Sequence, residues 1–189
     1  IAVIAHILPD GDTVGSCLAL ADALRAGGKS VSLFCQDLPP ATLHFLHGLA
    51  DFKREDNGGV PFDLAIAVDC SDKERMGACS AVFDNSRQTM NIDHHISNTF
   101  YAGVNYVDPR AAATGEIIYR IAVRLTGQIE KHTAEALYTA ISTDSGNFSF
   151  GSTTSDTYRI AADLLDCGIH VEEINNFLYK SHRVERIRL

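Results

Sequence analysis

The sequence predicts an α/β fold, in which a Rossmann-like parallel sheet of about five strands carries helices on both faces and is followed by a helical segment. Two observations support this prediction. Short apolar runs without a helical period, such as Ile1–Ala5, indicate strands that are buried on both faces, as parallel strands are. These runs alternate with segments of helical periodicity in the first half of the chain, whereas the second half is helical throughout.

The chain begins with a predicted strand over Ile1–Ala5. A helix over Thr13–Ala26 follows, because its apolar residues recur every three or four positions and Gly27 supplies a C-terminal cap. Ser30–Cys35 is the second predicted strand, since it is again a short apolar run between polar residues.

A helix and a surface loop are predicted between the second and third strands. Pro40 opens the helix near Leu43–Leu49, because proline is well tolerated in the first turn of a helix. Asp51–Pro61 is polar and glycine-rich, which is typical of a loop. The remaining predicted strands are Phe62–Val68, Gln88–Ile92 and the short edge strand Gly103–Val107.

Apolar residues recur at helical spacing beyond Asp108, and Gly127 and Gly168 stand where two helices are expected to end. We find no internal repeat and no segment of low complexity. The four helices predicted in this half of the chain are Thr114–Leu125, Thr133–Thr143, Thr154–Leu165 and Val171–Tyr179.

Composition limits the classes of function. The 189 residues can bury a sizeable core, and 46% hydrophobic and 21% charged residues are ordinary for a globular domain. No apolar run reaches the roughly 18 residues of a membrane helix, and no signal-peptide pattern is present, so no membrane partner is expected. The net charge of -8 argues against long nucleic acid as a partner, because such binding needs a basic face.

The five cysteines favour a reduced, cytoplasmic protein. Their number is odd and no pair has CxxC spacing, so neither a disulfide framework nor a thiolate zinc site is indicated. Cys70 stands beside Asp69, but a small packing residue after a strand explains it better than a metal ligand does.

Aspartate and histidine residues follow three of the predicted strands, at the point where each strand ends. Ligands of open parallel sheets bind beyond the carboxyl ends of the strands, so we expect these side chains to share one rim. So many carboxylates can lie together only if cations are present, and mixed Asp and His ligation suits divalent metals such as Mn²⁺. The residues are His6, Asp10 and Asp12 after the first strand, Asp69 after the third, and Asp93, His94 and His95 after the fourth.

Asp144 follows the predicted helix Thr133–Thr143 and stands just before Gly146, which breaks that helix. From the residues alone, a turn-capping aspartate and a metal ligand explain Asp144 about equally well.

Four motifs, in this order and context, resemble those of the DHH phosphoesterase superfamily. The resemblance runs from Ile1 to about Tyr179. Within the superfamily, the chain is similar to the nanoRNase/pAp phosphatase group, which degrades very short RNA oligomers and dephosphorylates 3'-phosphoadenosine 5'-phosphate (pAp). The motifs are His6-x-x-Pro9-Asp10-x-Asp12-x-x-Gly15-Ser16, then Asp69 at the end of a strand, Asp93-His94-His95, and Thr143-Asp144-x-Gly146-x-Phe148.

This resemblance implies a metal-dependent phosphoesterase that hydrolyses short oligoribonucleotides in the manner of an exonuclease, or pAp, or both. Its cofactors would be two divalent cations, with Mn²⁺ favoured and Mg²⁺ and Co²⁺ as alternatives. Two such cations would activate a water and stabilise the attacking and leaving oxygens. The partners would be short RNA oligomers or small nucleotide phosphates, and homo-oligomerisation stays open.

The resemblance also implies roles for the motif residues. Asp69 would bridge the two cations, and His95 would face the substrate, so both would act in catalysis. Asp93 would orient a ligand histidine from the second coordination sphere. The implied ligands are His6, Asp10 and Asp69 for one cation, and Asp12, Asp69, His94 and Asp144 for the other.

Three further residues are candidates for substrate binding. Gly15 and Ser16 open the first helix beside the metal loop, where backbone N–H groups can face a phosphate. Close packing of helix on strand explains these small residues about as well. Arg75 follows Asp69 closely and is a candidate to meet a substrate phosphate, but a surface ion pair with Glu74 or Asp72 is the favoured explanation.

Two other pairs of polar residues have ordinary explanations. Thr114 and Glu116 follow Asp108 and are candidates to lie near the site, but a role as residues that start a helix explains them at least as well. His44 and His47 are one helical turn apart, but no carboxylate accompanies them in sequence, so an amphipathic helix is favoured.

Residues 1–179 are predicted to form the catalytic domain. Residues 180–189 are predicted to be a charged linker, or the start of a helix toward a C-terminal DHH-associated domain. Members of this group usually carry that domain, with a glycine-rich, histidine-containing substrate motif that this sequence does not contain.

Alternative functions share part of this evidence. A cyclic-dinucleotide phosphodiesterase and a family II inorganic pyrophosphatase would use the same metal ligands. A third alternative, of another class, is a non-catalytic domain that binds a nucleotide as a regulatory signal. The presence of every motif ligand disfavours this third function.

Overall fold

A computed structural model of the chain describes residues 1–54, 59 and 61–180, and these residues contain one six-stranded parallel sheet. The strands are β1 (Ala2–Ile4), β2 (Ser32–Phe34), β3 (Phe52–Lys53), β4 (Ala65–Val68), β5 (Thr89–Asp93) and β6 (Val104–Val107). Their order in the sheet is β3-β2-β1-β4-β5-β6, and each neighbouring pair is parallel. The predicted α/β class is confirmed.

Six α-helices connect and cover the strands within the described ranges. They are α1 (Gly11–Ala26), α2 (Ser80–Asp84), α3 (Thr114–Thr126), α4 (Lys131–Asp144), α5 (Ser155–Asp166) and α6 (Val171–Asn175). Short 3₁₀ segments cover Ala41–Leu43, Leu49–Asp51 and Lys73–Cys79, and a π-helical turn covers Asn176–Lys180. None of the helices in the described part of the chain is long and apolar enough to span a bilayer.

The two faces of the sheet are buried by different layers. Along β1, Val3 belongs to the larger core, which includes side chains of α1, α3 and α4. Its neighbours Ala2 and Ile4 belong to a smaller core with Met76 and Phe83, from the 3₁₀ segment and α2. Alternate residues of a strand point to opposite faces, so this division confirms that helices cover both faces.

The segment between β2 and β4 differs from the prediction. The predicted helix near Leu43–Leu49 is wrong, because the chain forms two separate 3₁₀ turns there, and Gly48, with φ of 80°, has a left-handed conformation that a helix cannot include. Phe52–Lys53, predicted as loop, pairs with β2 as an additional strand. Of the predicted linker, only Lys180 lies within the described residues.

Close packing of α1 on α4 depends on Gly15. A Cβ atom at this position would collide with the backbone carbonyl oxygen of Ala136 and would lie 3.1 Å from the Cβ of Ala140. Both contacts involve α4, so the packing that explains this glycine is helix on helix and not helix on strand.

We expect Gly15→Ala to lower the free energy of unfolding by about 1–3 kcal/mol, because the added methyl group overpacks a dense interface. Urea unfolding of the variant should give a lower midpoint. Gly151→Ala is the matched control, since no atom lies within 4 Å of a Cβ built at Gly151. An unchanged midpoint for Gly15→Ala would contradict this account of the interface.

Candidate metal centre

The loop that follows β1 brings His6 and Asp10 to the carboxyl edge of the sheet, next to Asp69. Nδ1 of His6 lies 2.7 Å from the carbonyl oxygen of Ile7, to which it donates as the N–H tautomer. In the neutral ring, Nε2 then carries the lone pair. It lies 3.7 Å from Oδ2 of Asp10 and 3.6 Å from Oδ2 of Asp69. These three side chains form the first cluster, whose ligand atoms all lie within 4.8 Å of one another.

A second cluster forms around His94. Its Nδ1 lies 3.1 Å from the carbonyl oxygen of Ala111, which leaves Nε2 as the acceptor. Nε2 lies 3.2 Å from Oδ2 of Asp144, the last residue of α4, and 3.8 Å from Oδ2 of Asp12, in the first turn of α1. His94, Asp12 and Asp144 also have ligand atoms within 4.8 Å of one another.

Asp69, directly after β4, lies between the two clusters. Its Oδ2 faces His6, and its Oδ1 lies 3.8 Å from Nε2 of His94 and 3.6 Å from Nδ1 of His95. Its backbone has φ of 60°, a left-handed conformation that aspartate tolerates better than most residues. The two oxygens of one carboxylate are thus directed to two different sets of ligands.

Nε2 of His94 is buried and has no hydrogen-bond partner among the described residues. Its 3.2 Å approach to Asp144 is no hydrogen bond, because both atoms are acceptors when Nδ1 carries the proton. A divalent cation would satisfy this nitrogen and the surrounding oxygens together. The donor set, which mixes imidazole nitrogen with carboxylate oxygen, fits metals such as Mn²⁺.

Crowding of the carboxylates changes their proton affinity. Burial, together with the charges of Asp69 and Asp144, raises the pKa of Asp12 well above its usual range. Burial and the charge of Asp69 also raise the pKa of Asp144, although His94 opposes this. Burial disfavours the charged form of His6, but the carboxylates of Asp10 and Asp69 outweigh it and raise its pKa to about 9. The site therefore attracts positive charge.

His95 differs from His94 in its surroundings. Its side chain is 40% exposed, and its Nδ1 lies 2.7 Å from Oδ1 of the fully buried Asp93. Asp93 also accepts a 2.8 Å hydrogen bond from the backbone N–H of His94 and a 2.6 Å hydrogen bond from the side-chain amide of Asn98. The hydrogen bond to Asp93 raises the pKa of His95, against the opposing effect of burial.

The contacts of Asp93 correct one expectation. We predicted that Asp93 orients a ligand histidine, but the ring it holds is that of His95, the residue expected to face the substrate. The ring of His94 is oriented instead by the carbonyl oxygen of Ala111.

Gly15 and Ser16 do not face a substrate, contrary to the expectation. Gly15 is buried against α4. Ser16 is completely buried, and its hydroxyl donates to Oδ1 of Asp12 at 3.1 Å. Their N–H groups belong to the interior of α1, which begins four residues before Gly15. Ser16 thus supports a candidate ligand and offers no surface to a phosphate.

Arg75 has no ion pair within the part of the chain that the structure describes, so the surface pairs proposed with Glu74 and Asp72 do not form. Asp72 instead accepts a 3.0 Å hydrogen bond from the backbone N–H of Arg75. Nε of Arg75 is buried without a partner, and the carbonyl oxygen of Arg75 accepts a 2.7 Å hydrogen bond from Ile7, beside His6.

Sequence reasoning left open whether the start of α3 lies near the site, and the structure places it there. The backbone N–H groups of Thr114 and Gly115 donate to the two oxygens of Asp12, at 2.7 and 2.9 Å, and the Thr114 hydroxyl donates to Oδ1 of Asp69 at 2.8 Å. Ala113, the residue that precedes α3, provides no side-chain cap. The sequence signal for this contact is Ala113, because alanine cannot cap a helix. The first N–H groups of an uncapped helix need acceptors from another segment of the chain.

The chain belongs to the DHH family, since residues 1–141 match the model of the DHH family, N-terminal domain. It is 32% identical over 179 residues to the bifunctional oligoribonuclease and PAP phosphatase NrnA of Thermus thermophilus, and 29% identical over 181 residues to the protein of the same name from Bacillus subtilis. The matches cover 94% and 93% of this chain but 53% and 56% of those proteins. The chain thus spans about half the length of these curated relatives.

Solved structures agree with this assignment. An exopolyphosphatase-related protein from Bacteroides fragilis matches with a TM-score of 0.90 at 26% identity, over 99% of this chain and 58% of that protein. A candidate family II inorganic pyrophosphatase from Methanococcus jannaschii matches with a TM-score of 0.70 at 22% identity, over 94% of this chain and 60% of that protein. At 22% identity, the similarity to the pyrophosphatase supports the shared fold and nothing about function. The predicted family and fold are confirmed.

We expect Mn²⁺ to stabilise the folded chain through His94. A cation at 100 times its Kd, bound only to the native state, raises the free energy of unfolding by about 2.7 kcal/mol. His94→Ala removes a nitrogen that faces three carboxylates and should lose most of this gain. The gain is the difference between the free energies of unfolding that urea titrations give with Mn²⁺ and with a chelator. His170→Ala is the control, because this histidine is exposed, and it should keep the full gain. An equal gain in His94→Ala would contradict the assignment of His94 as a metal ligand.

Proposed function

We propose that the chain is the metal-binding domain of a phosphoesterase that hydrolyses short oligoribonucleotides, pAp, or both, with two divalent cations as cofactors. The observation that carries this proposal is the position of Asp69, with one oxygen toward each of two ligand clusters. Two named relatives that are oligoribonucleases and PAP phosphatases support the choice of substrate. We propose Mn²⁺ as the metal because the ligands are mixed Asp and His.

The ligands in this proposal are those expected from the motifs. His6, Asp10 and Asp69 would hold one cation, and the cluster around His94 would hold the other, with Asp69 shared. When bound, such a pair of cations supplies an activated water and stabilises both the attacking and the leaving oxygen of an in-line displacement. His6 and His94 each direct Nδ1 toward a backbone carbonyl, so in the neutral rings the Nε2 lone pairs are available to ligate a cation.

His95 is proposed to act on the substrate. Asp93 engages its Nδ1 and favours the protonated ring, so Nε2 remains free to donate. A proton held there can neutralise the leaving oxygen or stabilise charge on the phosphoryl group. Asn98 holds the second oxygen of Asp93, which fixes the carboxylate that holds His95.

Arg75 is proposed to bind a phosphate of the substrate that is not cleaved. Within the described residues, its guanidinium is not neutralised by a carboxylate, and its backbone is tied to the loop that carries His6. A planar guanidinium matches the geometry of phosphate oxygens. Both pAp and an RNA oligomer carry a second phosphate group that could occupy this position.

The remaining expectations about partners stay proposals as well. A net charge of -8 fits small phosphate esters better than long nucleic acid. Five free cysteines, four of them buried, support a reducing, cytoplasmic setting.

The first test compares substrates in the full-length protein. With Mn²⁺, we expect mononucleotides from di- to pentaribonucleotides or AMP from pAp, and no turnover with a chelator. Cyclic di-AMP and inorganic pyrophosphate serve as the alternative substrates. Preferred turnover of either one would replace the proposed substrate, and nucleotide binding without turnover of any compound would favour a regulatory domain.

The second test addresses Asp69. Asp69→Ala should lower kcat/KM by about 10³-fold or more, because losing a ligand of both cations removes several kcal/mol of charge stabilisation. Asp63→Ala is the matched control, since Asp63 is exposed and pairs with Arg87 at the surface. Near-normal turnover by the Asp69 variant in Mn²⁺ would rule out a bridging role.

A further inference from the structure

Thr114, the first residue of α3, contacts a carboxylate of each ligand cluster. Its hydroxyl donates to Oδ1 of Asp69 at 2.8 Å, and its backbone N–H donates to Oδ2 of Asp12 at 2.7 Å. The residue is completely buried, so solvent does not compete for either hydrogen bond. One residue that is not itself a candidate ligand therefore joins the two halves of the site.

The hydroxyl of Thr114 determines how the carboxylate of Asp69 is turned. The terminal torsion of an aspartate side chain has broad minima, so its own preferences do not orient the two oxygens. The hydrogen bond holds Oδ1 on the side of His94 and leaves Oδ2 directed toward Nε2 of His6, 3.6 Å away. Without the hydroxyl, the carboxylate can rotate and serve one cluster only.

Asp12 depends on the backbone of α3 and not on the hydroxyl. Its Oδ1 accepts from the N–H of Gly115 at 2.9 Å and from Ser16, and its Oδ2 accepts from the N–H of Thr114. A Cβ atom at Gly115 would lie 2.7 Å from the Cβ of Ala140, so the start of α3 reaches Asp12 through close packing on α4. A change confined to the Thr114 hydroxyl thus acts on Asp69 and leaves Asp12 in place.

We propose that Thr114 is a positioning residue whose hydroxyl makes Asp69 a ligand of both cations, so that the cations bind as a coupled pair. The inference rests on the proposed function, because it requires cations at both clusters. Residues that orient metal ligands typically change metal affinity 10- to 100-fold when they are replaced.

The test compares Thr114→Val with the wild type in the full-length protein, with Mn²⁺ as the probe. Valine keeps the shape of threonine and the N–H that Asp12 needs, and it replaces the hydroxyl by a methyl group that cannot donate a hydrogen bond. In the wild type, we expect two bound Mn²⁺ by calorimetry and an exchange-coupled electron paramagnetic resonance spectrum. In the variant, we expect the second Mn²⁺ to bind about 10- to 100-fold more weakly, with the six-line spectrum of isolated Mn²⁺.

Two further variants separate positioning from a general effect on structure. Thr114→Ser keeps a hydroxyl and should restore the coupled spectrum. Thr139→Val removes another buried hydroxyl, which bonds within α4 to the carbonyl oxygen of Glu135, and should leave Mn²⁺ binding unchanged. If Thr114→Val does not fold, as judged by circular dichroism, Thr114→Ala replaces it with the same expected result.

Unchanged affinity for both Mn²⁺ ions and an unchanged coupled spectrum in the hydroxyl-free variant would overturn the role of Thr114. Loss of the coupled spectrum in Thr114→Ser to the same extent as in Thr114→Val would also overturn it. A wild-type protein that binds no pair of Mn²⁺ ions would instead overturn the proposed function, so the two failures are distinguishable.

Discussion

The burial of several carboxylates at one edge of the sheet is the constraint on which the rest of the structure depends. Asp12 and Asp69 are 1% and 2% exposed, and Asp144 lies within reach of the same histidine as both of them. Buried like charges repel, and each must be satisfied by hydrogen bonds, by a proton or by a cation. The start of α3 supplies hydrogen bonds to Asp12 and Asp69, and the proposed cations would neutralise the remaining charge.

Helix α3 and Asp12 satisfy each other. The first N–H groups of a helix lack partners within the helix, and Ala113 provides no cap, so the carboxylate of Asp12 serves as an acceptor for two of them. The positive end of the α3 dipole favours the charge of Asp12 at the same time. Asp144, by contrast, ends α4, where the helix dipole adds negative potential and favours a bound cation. The start of α3 thus adds positive potential to the site, and the end of α4 adds negative potential.

Much of the fold could be predicted because it depends on local patterns. The buried strands and the long helices α1, α3, α4 and α5 all follow from apolar periodicity and glycine stops. The helix near Leu43–Leu49 was mispredicted because a proline suggested a helix start, whereas Gly48 has a left-handed conformation that interrupts any helix there. Phe52–Lys53 became a strand only through pairing with β2, a contact that no local pattern reveals.

The sequence by itself determined which residue types end the strands, and so which side chains could form a metal site. It could not show that Gly15 packs on α4, that Asp93 holds His95 rather than His94, or that Thr114 reaches both Asp12 and Asp69. Only the tertiary structure decided these contacts, since the residues of the Thr114 contacts lie 45 and 102 positions apart in the chain. The physical reason is that hydrogen bonds between distant segments form only after helix packing has brought them together, and composition and periodicity carry no information about that geometry.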